Sequence, residues 1–278
     1  MSELLKKEQQ AIRLLKALSN DQPIEISYSG GKDSDVILTL AQMAGIDHRA
    51  LYKNTTIDPP GTIKHAKERG AEVIQPALPF LKIIEKKGFP TMRARFCCEI
   101  LKEYKILDYA VQGIRRSEST RRAARYKEPV ICRFYRKGEK ANITLPILEW
   151  TDEDVALFIT SNGVPCHPLY YDEAGNFQVK RRLGCMGCPL KADRGKAEFR
   201  KYPKLLRAWL KAGQVWWDRP REKPLASAQK FGDIYGLMYN NLFCRSYNDF
   251  LVAQSASLFG KIDFKQELET YFNTDLTI

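Results

Sequence analysis

The chain has 278 residues, 44% of them hydrophobic, and a formal net charge of +12, enough for one large α/β domain with an appended region. No apolar run approaches the roughly 20 residues of a membrane span. The charged, amphipathic start "MSELLKKEQQAIRLLKALS" reads as a helix rather than a signal peptide, so a cytoplasmic protein with no membrane partner is expected. Seven cysteines in that setting favour metal ligands or reactive thiols over a disulfide framework.

In chain order, residues 2–19 read as a helix. Ile24–Tyr28 alternates as a short strand, and a helix over 34–44 puts Val36, Ile37, Leu40 and Met43 on one face. "HRALYKN" reads as a second strand, "TIKHAKERG" as a helix, "EVIQP" as a short strand and "FLKIIEKKG" as a helix with a glycine stop. A helix over 97–107 and the strand "YAVQGI" follow. This βαβα order predicts an α/β fold: a parallel sheet with helices on both faces and a ligand at the carboxyl ends of the strands. "WTDEDVALFITSNG" is a helix with Thr151 as N-cap. A loop rich in Pro, Tyr and Gly comes next, then mostly helix. The expected division is a nucleotide-binding domain over 1–190 that holds the chemistry-bearing cysteines, and a basic helical region over 191–278.

Between the first strand and its helix stands Ser29-Gly30-Gly31-Lys32-Asp33-Ser34. The glycines allow a tight turn that brings N–H groups near a ligand, and the helix N-terminus adds positive potential, which suits a phosphate chain. Neither the Walker A spacing nor G-x-G-x-x-G fits. The stretch resembles instead the pyrophosphate loop of the adenine-nucleotide α-hydrolase superfamily, in its S-G-G-x-D-S form. Lys32 is the candidate for stabilising charge on the phosphates, and Asp33 for a Mg²⁺ contact or a helix cap.

Cys97 and Cys98 are adjacent, and Cys185 and Cys188 form a C-x-x-C. Four thiolates can converge as soft ligands for an iron–sulfur cluster or zinc. The tandem pair favours a cluster, which offers separate irons to neighbouring thiolates. Two basic stretches stand out: Gly113–Lys140, with ten Lys or Arg against three acids, and Lys191–Pro224, with eleven against four, interleaved with Trp209, Trp216 and Trp217. Both suit nucleic acid, a nucleotide phosphate or an acidic partner as well as a solvated surface.

Tandem Cys, a long gap, then C-x-x-C is similar to the cluster motif of the adenylylsulfate and phosphoadenosine phosphosulfate reductase family. "GIRRSESTRRA" (Gly113–Ala123) resembles that family's arginine-rich loop, and "NTTIDPP" (Asn54–Pro60) stands where the family has an Asp-Thr-Gly-type loop. The resemblance covers roughly 22–190. It implies phosphate binding by Ser29–Ser34 and nucleotide contacts from Asn54, Thr55 and Gly113. It also implies an anion site from Arg115, Arg116, Arg121 and Arg122, with Arg115 a candidate at the developing charge. Cys97, Cys98, Cys185 and Cys188 would hold a [4Fe-4S] cluster.

Two departures from the family stand out. Thr55-Thr56 replaces Thr-Gly, and the expected tail of Glu-Cys-Gly-Leu-His type, with its catalytic cysteine, is not found; the chain ends "ETYFNTDLTI". The leading expectation is therefore a cluster-containing ATP pyrophosphatase. With Mg²⁺ it would adenylate a substrate for sulfur transfer, as in nucleic-acid thiolation or DNA phosphorothioation, and a cysteine desulfurase would donate the sulfur. One alternative is a thioredoxin-dependent sulfonucleotide reductase using a divergent thiol, Cys132, Cys166 or Cys244, with Cys166 acidified by His167. The other is a non-catalytic nucleotide-binding protein. A homodimer is compatible with each.

Overall fold

The computed structural model describes residues 3–18, 22–135, 138–222, 225–255 and 262–278. Arg136, Lys137 and Lys223 of the basic stretches lie outside these. The chain divides into two compact units, Met1–Pro76 with Leu101–Gly184, and Ala77–Ile100 with Cys185–Ile278. The second thus takes in 77–100 and 185–190 besides the region expected from residue 191.

The first unit holds a six-stranded sheet made of β1 (Ile24–Tyr28), β2 (His48–Lys53), β3 (Glu72–Ile74), β4 (Tyr109–Val111), β5 (Val130–Phe134) and β6 (Lys140–Thr144). Its order is β3-β2-β1-β4-β6-β5, and every pairing is parallel except β5 with β6. The strand order reverses beside β1, so a crevice opens at its carboxyl end. Ile24, Ile26 and Tyr28 are buried against α2 (Lys32–Ala44), whose Val36, Ile37, Leu40 and Ala41 are fully buried. Met43, expected on that face, is exposed. Gly45 ends α2 in the left-handed region at φ 66°, and its N–H donates to Gln42. Alongside α2 lie α1 (Glu3–Lys16) and α7 (Asp152–Ser161). Helix α7 starts in a capping box: Thr151 Oγ1 accepts from the Asp154 N–H at 3.2 Å, and Asp154 Oδ2 accepts from the Thr151 N–H at 2.8 Å.

Two expectations need correction. The helix predicted over 97–107 is α5 (Phe96–Leu101) and stops there. Beyond it, polar side chains of the sheet take the backbone groups: Lys53 Nζ donates to the Tyr104 carbonyl at 2.5 Å, and Glu25 accepts from the Leu107 N–H at 3.4 Å. Strand β6 was not among the expected elements; burial of Ala141, Ile143 and Thr144 places it in the sheet.

The second unit is helical. It contains α4 (Phe80–Lys87), α8 (Lys196–Lys201), α9 (Pro203–Trp217), α10 (Ala226–Phe231), α11 (Ile234–Phe243), α12 (Tyr247–Ser255) and α13 (Phe264–Phe272). Its centre is Trp209, whose ring meets Phe80 at 4.9 Å and Phe199 at 5.3 Å. Cys244 is buried with Phe250 and Phe264. Among the described residues, no helix is long and apolar enough to cross a membrane.

Candidate functional site

Ser29–Ser34 is the turn from β1 into α2. Gly30 has φ 76°, a conformation that side chains rarely adopt, while Gly31 is extended and caps α2. Ser34 Oγ donates to the Gly31 carbonyl at 2.6 Å, and Ser29 Oγ lies 3.3 Å from Ser34 Oγ. Lys32 is buried, with Nζ 3.2 Å from Asp33 Oδ2 and 5.7 Å from the centre of the Tyr170 ring. Beneath the loop, fully buried Asp35 accepts from Tyr28 Oη at 2.6 Å, and His65 Nε2 and Arg69 Nε lie within 3.3 Å of it. These contacts anchor the first turn of α2.

Over the loop lies a cleft of about 210 Å³, lined by Ser27, Ser29, Gly31, Lys32, Asp33 and Ser34, and facing them Gly113, Glu118, Arg122, Tyr170, Arg182 and Leu183. Gly113 sits there because a Cβ would fall 2.8 Å from the Asp33 carbonyl oxygen. Tyr170 Oη accepts from the Leu183 N–H at 3.2 Å, which leaves its own proton to donate. Burial pushes that hydroxyl up to about 12. Glu118 pairs with Arg122 and, at 3.4 Å, with Arg182. Burial holds the Arg122 guanidinium below its usual value, and the nearby charges of Arg182 and Arg115 add to the effect. An anion would stabilise a guanidinium held down in this way.

The expected residues divide. Ser29, Gly31, Lys32, Asp33, Ser34, Gly113 and Arg122 line the cleft. Arg115 stands behind it, buried: Nε donates to Asp33 Oδ1 at 2.7 Å, one terminal nitrogen to Asp152 at 2.8 Å and the other to Ser117 Oγ at 2.9 Å. Its donors hold the loop aspartate. Arg116 turns to the Tyr126 carbonyl at 2.8 Å and to Glu149, and Arg121 is exposed outside the lining. Asn54 and Thr55 are buried in the loop after β2, where Asn54 Nδ2 donates to Gln75 and Asn54 Oδ1 accepts from the Thr56 N–H. Thr56 has φ 61°, the conformation that a glycine there would take without strain.

Tyr170, Arg182 and Glu118 join the cleft without having been singled out from the sequence. Tyr170 belongs to "HPLYYD" and Arg182 to "KRRLGC", both far along the chain from the loop they meet. A second recess of about 140 Å³ shares Ser27 and Ser29 with the first and adds Tyr52, Gln112 and Tyr135, room for the rest of a ligand whose charged end is at the loop.

All seven cysteines are free. Cys97, Cys98, Cys185 and Cys188 fall in the second unit. The Cys97 thiol is held up by its hydrogen bond with Cys98, by burial and by the charges of Cys98 and Cys185. The C-x-x-C turn has Gly187 at φ 71°, and a Cβ there would meet Phe199 at 2.5 Å. Among the described residues, no three of His, Cys, Asp and Glu converge as a metal-ion site. Thiolates are the donor type that a soft-metal cluster takes.

The thiols considered for a reductase lie elsewhere. Cys166 is buried, and burial and the Asp35 charge push its thiol up; the acidification expected from His167 is reversed, because burial and His65 push that imidazole down toward neutrality. Burial also pushes the Cys244 thiol up. Cys132 is exposed on β5, and no cysteine is among the residues lining the cleft.

The family model described as phosphoadenosine phosphosulfate reductase domain matches residues 23–191. An uncharacterized protein of Methanocaldococcus jannaschii is 32% identical over 209 residues, which span 67% of this chain and 46% of that protein. A phosphoadenosine 5′-phosphosulfate reductase of Xanthomonas euvesicatoria is 37% identical over 73 residues, 25% of this chain and 27% of that protein. The crystal structure of a phosphoadenylyl-sulfate reductase from Candida auris aligns at 16% identity and a TM-score of 0.46, covering 66% of this chain and 96% of that one. The chain spans less than half the length of the curated relatives it matches.

Proposed function

The chain belongs to the phosphoadenosine phosphosulfate reductase domain family, and from that premise we propose that it is an ATP pyrophosphatase which adenylates an oxygen of its substrate for replacement by sulfur. The observation that carries this reading is the composition of the cleft: a phosphate loop faced by Lys32, Arg122 and Arg182, with no thiol among the described residues that line it. A sulfonucleotide reductase needs a thiolate within reach of the sulfur atom. Adenylation needs only a held phosphate chain and positive charge at the leaving group.

In this mechanism the acceptor oxygen attacks the α-phosphorus of ATP. The bond to the bridging oxygen breaks, and pyrophosphate leaves with the electron pair. The Gly31 N–H and the start of α2 face the phosphates, and Lys32 and the two arginines neutralise the charge that grows on the departing group. Asp33, held by Arg115, is the carboxylate that would meet a nucleotide-bound Mg²⁺. Tyr170 donates its hydroxyl proton to a phosphate oxygen. A [4Fe-4S] cluster held by Cys97, Cys98, Cys185 and Cys188 would supply sulfur or electron handling for the later exchange, with a cysteine desulfurase as sulfur donor. The net charge of +12 suits a nucleic acid as acceptor.

The test is a pair of assays on anaerobically prepared protein: pyrophosphate release from ATP, and thioredoxin-dependent sulfite release from adenylylsulfate or its 3′-phospho form. Pyrophosphate release that Lys32→Ala abolishes is expected. Sulfite release that is lost on changing Cys132, Cys166 and Cys244 together to Ser would replace this reading with the reductase. Nucleotide binding without either product would leave a non-catalytic nucleotide-binding protein.

A further inference from the structure

Most cations of the second basic stretch are occupied within the second unit. Lys191 pairs with Glu198 at 2.5 Å, and Arg194 donates to the Asn241 and Cys244 carbonyls. Lys196 lies over the Phe243 ring, and Arg200 over that of Tyr271. Arg219 donates to the Glu85 carbonyl at the end of α4, and Arg221 to that of Trp217.

Helix α9 is different. Its sequence, PKLLRAWLKAGQVWW, has no acid. Leu206, Trp209, Leu210 and Gly213 are buried on one face, and helical spacing puts Lys204, Arg207 and Lys211 on the opposite one. Lys204 and Lys211 are exposed and Arg207 half-exposed. Among the described residues, none of the three is paired with a carboxylate or stacked on a ring. The next acid, Asp218, takes the Gln214 amide at 2.8 Å. From Lys204 to Lys211 the helix rises about 10 Å, so three unneutralised charges stand in a row at intervals of roughly 4.5–6 Å.

We propose that the Lys204–Arg207–Lys211 ridge of α9 binds the phosphate backbone of a nucleic-acid duplex, independently of base sequence. A row of cations without partners is unfavourable by itself and matches a regular line of phosphates. An acidic protein fits less well, because protein interfaces are anchored by aromatic or other apolar side chains, and among the described residues the only large apolar one exposed on this face is Val215. The ridge carries no Asn, Gln or Glu to read adenine or cytosine edges, so phosphate contact, which carries no sequence information, is the expected mode. The inference deepens the adenylation reading by locating where a nucleic-acid acceptor is held, and rests on it for that purpose. Binding is measured without ATP, so its failure leaves pyrophosphate release untouched.

The experiment compares the full chain with the triple variant Lys204→Gln, Arg207→Gln, Lys211→Gln. Glutamine keeps the helix propensity. A labelled mixed-sequence duplex is titrated over a range of salt concentrations, and circular dichroism and ATP affinity serve as controls on folding. Three phosphate contacts account for about 2.7 of the slope of log affinity against log salt, so from about 50 to 200 mM salt the wild type should lose roughly 40-fold more affinity than the variant. Equal slopes for the two folded proteins, or no duplex binding by the wild type, would overturn the proposal. Tighter binding of single strands, or of polyglutamate, that the same substitutions weaken would overturn it in favour of that partner.

Discussion

Gly113→Ala tests whether the geometry of the cleft depends on the contact between the β4 end and the phosphate loop. The added methyl would lie 2.8 Å from the Asp33 carbonyl oxygen and 3.0 Å from its carbon. Ordinary contact begins roughly 0.6 Å farther out, and the obstacle is backbone, which cannot rotate aside. Either the end of β4 or the first turn of α2 must shift. Such overpacking costs about 1–3 kcal/mol of stability. Asp33 also carries the 2.7 Å bond from Arg115 and the 3.2 Å contact with Lys32, so the shift passes directly to the cleft. ATP affinity should fall roughly 10- to 100-fold, which corresponds to about 1.4–2.8 kcal/mol. Urea unfolding and calorimetric ATP titration measure the two effects. A variant with wild-type stability and wild-type affinity would refute the tight packing of Gly113 on Asp33.

Tyr170→Phe removes the acceptor of the Leu183 N–H, which should cost about 1–3 kcal/mol and lower ATP affinity, whereas a pure loss of stability with unchanged affinity would place the hydroxyl outside the binding geometry. Gly31→Val brings branches beyond a Cβ that already lies 3.3 Å from Tyr170 Oη, and the folded variant should not bind ATP; unchanged affinity would remove the loop from the site. Protein purified anaerobically should be brown, with about four irons per chain if the cubane is present, and Cys97→Ser should lower the iron content. Stoichiometric zinc without iron would rule the cluster out.

What could be read from the sequence was local. Ser29–Ser34 and the Thr151 capping box are short patterns whose side chains act within a few residues, and both form as expected. Helix α5 ended early for a non-local reason: Lys53 and Glu25, far upstream, take the backbone of Tyr104 and Leu107. Tyr170 and Arg182 reach the cleft only when the segment after α7 folds back over the loop, and their spacing from Lys32 carries no signal of this. Arg115 shows the other limit. Residue type and motif place an arginine near the phosphates, but whether it meets the ligand or braces Asp33 depends on Asp152, 37 residues away.

The charge balance of the cleft makes a last prediction about Mg²⁺. Lys32, Arg122 and Arg182 bring three positive charges, and Asp33 and Glu118 return two negative ones, so the lining is singly positive. Buried Arg115 behind Asp33 adds one more. Free ATP at neutral pH carries about four negative charges and its Mg²⁺ complex about two, so the complex matches the cleft and free ATP exceeds it; an uncompensated charge at a partly enclosed site is costly. Affinity for ATP should therefore be markedly higher with Mg²⁺ than in a chelator. Glu118→Gln should narrow that gap. Its amide oxygen can still accept the Arg115 N–H that Glu118 accepts at 3.3 Å, while Arg122 and Arg182 are released to meet phosphate. Calorimetric titrations of both proteins with and without Mg²⁺ check this. Free ATP binding the wild type as tightly as its Mg²⁺ complex would show that the cleft does not count charge in this way, and Asp33 would lose its role as the carboxylate that meets the metal.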